Sequence, residues 1–179
     1  MREKARGIDT EPYLEWLDGV ESAAVTPNAL EGIVAMTIGA VMHRDGHTFG
    51  SAIPNLHLRL NDAPGKRTVL LPAVTFYRGE TIRALDPADR FVPNAPPEII
   101  VEVRSADDCP GFREEKIRRY LAWGCPLAFD IDPVTRSIAV HTRDSSRTLR
   151  AGDRFSDPAV PWLTFDLDEI FARLELLGF

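Results

Sequence analysis

The chain has 179 residues, 44% of them hydrophobic and 27% charged, with 12 Gly, 14 Pro, two Cys and four His. That is the profile of one ordinary globular domain, long enough to bury a core. Its 27 acids against 21 Lys and Arg give a formal charge of −6, so any polyanion must be met by a local basic patch. No run approaches the ~18 consecutive apolar residues of a membrane span, and the start lacks the apolar segment of a secretory signal. A soluble, cytoplasmic protein with no membrane association is therefore expected. Phosphate-loop, G-x-G-x-x-G, H-E-x-x-H and G-x-S-x-G motifs are absent, and Cys109 and Cys125 have no companion ligands, so they are expected to be free thiols.

Residues 1–10 carry Arg2, Glu3, Lys4 and Arg6 with almost nothing to bury, which predicts a flexible tail ahead of a single domain over residues 11–179. Glu11-Pro12 followed by Tyr13, Leu14, Trp16 and Leu17 predicts a short helix stopped by Asp18-Gly19. A second helix starts after Asn28, a capping residue, and carries Leu30, Ile33, Val34, Ile38, Val41 and Met42 at helical spacing. From His47 the period drops to two through Ile53, Leu56, Leu58, Leu60, Val69, Leu71, Val74 and Phe76, which predicts antiparallel strands. A further strand runs from Glu98 to Arg104, a helix from Phe112 to Trp123 ends at Gly124, and Leu127–Ile131 pairs with Ser137–Thr142 across an Asp132-Pro133 turn. Ile170, Phe171, Leu174 and Leu177 mark a last helix over 168–177. The alternation of these elements predicts an α/β fold with a mixed sheet.

Alternation along the 98–104 strand puts Glu98, Ile100, Glu102 and Arg104 on one face and Ile99, Val101 and Val103 on the other. An unpaired buried carboxylate costs several kcal/mol, so Glu102 needs a cation, a hydrogen-bond network or a metal ion. Arg104 is the nearest candidate partner, with Lys116 one helix later. The arrangement suits either a structural salt bridge or a Mg²⁺ or Mn²⁺ site with a base beside it to meet phosphate charge.

Four segments, Pro72-Ala-Val-Thr-Phe76, Pro97-Glu-Ile-Ile-Val-Glu-Val-Arg-Ser-Ala-Asp107, Lys116-x-x-x-Tyr120-Leu-x-x-Gly124 and Asp130-Ile-Asp-Pro133, occur in an order that resembles the Uma family. These are restriction-endonuclease-like members of the PD-(D/E)xK nuclease superfamily, and the similarity spans roughly residues 11–176. The resemblance implies a restriction-endonuclease-like mixed central β-sheet flanked by α-helices, with additional antiparallel strands. It also implies metal-dependent hydrolysis of nucleic-acid phosphodiesters with Mg or Mn, DNA as a partner, and a homodimer. Carried over by position, Glu102 matches the metal-binding acid, Arg104 stands where the superfamily has its lysine, and Lys116 matches the family's helix lysine; these three are the expected catalytic residues.

One position departs from the pattern. The family reads Pro-Asp where this chain has Pro72-Ala73, and a methyl group cannot coordinate a cation. Weakened or absent activity follows unless another acid substitutes. Glu98, at the start of the strand beside that of Ala73, is the expected second metal ligand, with Glu31 and Glu21 as more distant replacements. Asp107-Asp108 reads as a helix cap. Lys116 and Arg119 on the helix, with Arg143 and Arg147 in the later hairpin region, are the expected nucleic-acid contacts. Two other readings stay open: a degenerate nuclease-fold protein acting as a nucleic-acid-binding or protein-interaction module, and an α/β domain with a purely structural ion pair.

Overall fold

The computed structural model describes residues 14–23, 27–60, 66–106 and 110–179; the expected tail and Asp107-Asp108 cap lie outside them. Leu14–Leu17 and Val20–Ala23 form β1 and β2, an antiparallel hairpin pairing Leu17 with Val20 across Asp18-Gly19. Both turn residues have positive φ, 53° and 84°, as a two-residue hairpin turn of primed type requires. The predicted helix at 11–17 is thus corrected to a strand over its described part. Asp-Gly between short apolar runs is a hairpin signal, and the pairing across it outweighs the local helical spacing.

Asn28 caps α1 (Ala29–Gly46): its side chain accepts the Glu31 N–H while the Glu31 carboxylate accepts the Asn28 N–H. That reciprocal box satisfies two otherwise orphaned donors. The period-two region then forms β3 (Gly50–Pro54), β4 (Leu58–Leu60), β5 (Thr68–Leu70) and β6 (Val74–Arg78). A short α2 (Gly79–Ala84) leads through a Pro-rich stretch to β7 (Ile99–Val103), α3 (Pro110–Trp123), β8 (Leu127–Asp132) and β9 (Ser137–His141). The chain closes with β10 (Ser146–Leu149), β11 (Arg154–Phe155), β12 (Phe165–Asp166) and α4 (Leu167–Leu176).

The strands divide between a central sheet in the order β10-β9-β8-β7-β6-β3 and a small antiparallel sheet in the order β2-β1-β5-β4, beside the β11-β12 pair. Within the central sheet only β7 and β8 run parallel, joined by α3, so the sheet is mixed as expected. One face carries Phe76, Ile99, Val101, Phe129 and Ile131 against α1, α4 and the aromatic pair Phe155 and Phe165. The other meets the small sheet and α3 through Tyr77, Ile100, Leu58, Leu70 and Tyr120. No helix among the described residues is long and apolar enough to cross a membrane.

Close approach fixes how β3 meets β6. A Cβ on Gly50 would lie 2.5 Å from both a Phe76 ring carbon and the Tyr77 carbonyl oxygen, and the backbone oxygen cannot move without breaking sheet pairing. We expect Gly50→Ala to destabilise the fold by about 1–3 kcal/mol, read as a lower midpoint in urea unfolding at unchanged slope.

Candidate functional site

Strand alternation makes one face of the central sheet charged at the C-terminal ends of its parallel pair. Glu102 on β7 and Asp130 on β8 are direct register partners, and both are buried. Two ions so close in a low-dielectric interior each need a base. α3 crosses above them and delivers Lys116 and Arg113 from one side, one turn apart.

Lys116 Nζ lies 2.9 Å from Glu102 Oε1 and 2.7 Å from Glu15 Oε1. Tyr120, one turn further along α3, donates its hydroxyl to Glu102 Oε1 at 2.9 Å. Glu15 comes from β1 in the small sheet, and its Oε1 also accepts the Leu71 N–H at 2.7 Å. The whole group is withdrawn from solvent: Glu15 is 2% exposed, Lys116 6%, Glu102 7% and Tyr120 0%. Burial pushes the Glu102 carboxyl up to about 7 against the opposing pull of the Lys116 charge. Burial also works against the Lys116 ammonium, but the charges of Glu102 and Glu15 outweigh it and hold its pKa above the ordinary lysine value.

Asp130 is served separately. Arg104 forks onto it, Nε to Oδ1 at 3.0 Å and Nη2 to Oδ2 at 2.7 Å, and reaches Asp132 with Nη1 at 3.4 Å. Arg113 Nε lies 3.3 Å from Asp130 Oδ1. The expectation that Arg104 partners Glu102 is therefore corrected: Glu102 takes Lys116 from the helix, and Arg104 reaches sideways to the next strand. A planar guanidinium matches a carboxylate best as a two-point fork, which Asp130 offers.

Of the expected site residues, the fold brings together Glu102 and Lys116, with Arg104 beside them on Asp130. Glu98 lies at the opposite end of β7, about 13 Å along the strand from Glu102, with Oε1 2.7 Å from Arg78 Nη2. Glu31 is engaged in the α1 cap, and Glu21 is exposed on β2. Arg119 pairs with Asp18 at 2.6 Å and Glu115 at 2.7 Å. Arg143 is exposed between β9 and β10, and Arg147 on β10 lies 3.2 Å from Asp157, with its guanidinium 5.6 Å from the Phe155 ring centre. The residue that sequence reasoning missed is Glu15. Read as a strand closed by an Asp-Gly turn, Leu14-Glu15-Trp16-Leu17 would have raised the question of which partner a buried Glu15 requires.

The register of β6 on β7 pairs Val74 with Val101 and Thr75 with Ile100. Continued by one residue, it sets Ala73 across from Glu102 on the same face. The position from which a second sheet carboxylate would reach Glu102 thus holds a methyl group. Among the described residues no three His, Cys, Asp or Glu side chains converge as a metal site would need. The two carboxylates that do meet share an ammonium between them. This donor set does not fit a resident divalent ion.

A family model described as "Uma2: Putative restriction endonuclease" matches residues 11–168. The fold is similar to that of a crystal structure of a "putative nuclease belonging to DUF820" from Anabaena variabilis ATCC 29413, with 15% identity and a TM-score of 0.80. That likeness covers 94% of this chain and 95% of the other, and at this identity it is one of fold alone. No curated protein matches the sequence.

Two outcomes follow from the charge arrangement. Lys116→Met leaves Glu15 and Glu102 buried without their cation, and we expect a loss of about 3–5 kcal/mol in urea unfolding at neutral pH. Glu102 binds its proton more tightly folded than unfolded, so its contribution is fully present below pH 4.5 and is lost as pH rises through about 7. Melting curves should show wild type losing ground to Glu102→Gln across that window, whereas a constant difference would contradict the assignment.

Proposed function

The chain belongs to the Uma2 family, described as putative restriction endonucleases, and from that premise we propose that it is a nuclease-fold protein whose hydrolytic centre is reduced. In this reading its substrate class is nucleic acid, and phosphodiester cleavage dependent on Mg²⁺ or Mn²⁺ is lost. The observation that carries the reading is Ala73 opposite Glu102, with Lys116 spanning Glu102 and Glu15. Nucleases of this kind typically use divalent ions, and hard ions are held by several oxygen ligands placed around one point. Loss of one carboxylate weakens both the affinity and the placement of the attacking water.

The side chains that remain have definable roles. Lys116 neutralises the centre, Tyr120 fixes the orientation of the Glu102 carboxylate through its hydroxyl, and Leu71 does the same for Glu15 through its N–H. Arg104 and Arg113 hold Asp130 beside them. A phosphate approaching this face meets four acids, Glu15, Glu102, Asp130 and Asp132, against three bases, Lys116, Arg104 and Arg113. With no added cation that balance repels a phosphodiester. A binding role for the same protein draws instead on the β9–β10 hairpin, where Arg143 and Arg147 are exposed.

Plasmid nicking in Mg²⁺ and Mn²⁺ tests the reading directly. We expect no turnover above background from wild type or Glu102→Ala, and metal-dependent nicking from Ala73→Asp. Nicking by wild type that disappears in Glu102→Ala would overturn it.

A further inference from the structure

Resting on that reading of the centre, the hydrogen bonds around Lys116 carry a step further, to the question of what holds the cation position itself. We infer that the Lys116 ammonium is the resident cation of this centre, seated between Glu15 and Glu102 in place of a divalent ion and excluding one for as long as position 73 supplies no third carboxylate. Position 73 supplies no carboxylate, and the helix lysine is buried at the place a cation would take.

The oxygens themselves argue for exclusion. Glu15 Oε1 accepts from Lys116 Nζ and from the Leu71 N–H, while Glu102 Oε1 accepts from Lys116 Nζ and from the Tyr120 hydroxyl. Each of these two inward oxygens thus already receives two donors. Mg²⁺ binds its oxygen ligands at about 2.0–2.1 Å, so such an ion between the same two oxygens would crowd Nζ, which sits 2.7 and 2.9 Å from them. Either the ammonium leaves or the ion stays out.

Charge and space favour the ammonium. Two carboxylates against one lysine leave a formal charge of −1, which does not neutralise an entering divalent ion. The neighbouring acid cannot swing in to help, because Asp130 is clamped by Arg104 and Arg113, and position 73 offers no side-chain oxygen. Lys116 has nowhere to go without cost: it is 6% exposed, and a displaced ammonium would lose two charge-assisted bonds in a low-dielectric site. Removing the ammonium while keeping both acids reverses every one of these terms. Two buried carboxylates would then face each other with free lone pairs and a vacancy the size of a lysine side chain.

The test reads metal binding and not cleavage, so its failure is separate from any failure of the nicking prediction. Mn²⁺ is titrated into wild type, Lys116→Ala and Lys116→Ala/Glu102→Gln, with free Mn²⁺ followed by electron paramagnetic resonance and melting temperature followed in parallel. The expected result is no site-specific Mn²⁺ on wild type at about 1 mM. Lys116→Ala should bind at least about tenfold more tightly and gain a Mn²⁺-dependent rise in melting temperature, which the added Glu102→Gln removes. A folded Lys116→Ala that binds no better than wild type overturns the inference. If Lys116→Ala does not fold even with Mn²⁺, wild type alone decides through paramagnetic broadening of nuclear resonances: unbroadened Lys116 and Tyr120 signals support the ammonium as resident cation, and broadened ones overturn it.

Discussion

Lys116 sits where three layers meet. Its ammonium joins Glu15 of the small sheet to Glu102 of the central sheet, and it is carried there by α3, which connects the two parallel strands. Removing an ion from water is worthwhile only where opposite charge and hydrogen bonds replace the lost solvent. Here each partner supplies part of that replacement, so the position of α3 over the sheet and the docking of β1 are tied to the same charge. The surrounding apolar packing of Tyr77, Ile100, Leu58 and Leu70 keeps water out and makes the arrangement intolerant of a missing partner.

The two faces of β7 divide the work. Ile99 and Val101 belong to the larger core under α1 and α4 and hold the fold together by burial alone. Ile100 and Glu102 face α3, and at that end of the strand the chemistry changes from packing to charge pairing. Asp130, one strand over, repeats the pattern with arginines. The result is a row of acids capped by a row of bases, an arrangement that sets residues precisely but leaves little charge uncommitted for an incoming phosphate.

Membership of a nuclease family and a charge-satisfied centre are compatible because fold and chemistry are specified by different residues. The sheet order, the parallel β7–β8 pair and the α3 connection depend on dozens of apolar positions that a single replacement does not disturb. A metal-dependent hydrolytic site of the proposed kind would depend on a few oxygens, and Ala73 offers no side-chain oxygen on the face where Glu102 sits. Glu102, Lys116 and Tyr120 satisfy one another there, which gives the group a structural task.

Much of the architecture was legible from local pattern. The Asn28 cap, the helical stripe of α1, the buried strand at 99–103, the helix ending at Gly124 and the hairpin at Asp132-Pro133 all follow from signals within a few residues, because period and capping are set by neighbouring backbone geometry. The same pattern reasoning singled out Glu102 as a buried acid that needs a partner, with Arg104 as the nearest candidate and Lys116 one helix later. It misread residues 14–17, where a short apolar run fits both periods and only the pairing of β1 with β2 and β5 decides. Nor could it assign partners among the charges: Arg104 lies two residues from Glu102 yet serves Asp130, while Glu15, far away in the chain, serves Lys116. Composition and periodicity therefore determined the elements and the need for a buried counter-charge, whereas tertiary structure alone decided which charges meet, because sheet order and helix crossing bring together groups whose separation along the chain carries no information about their distance in space.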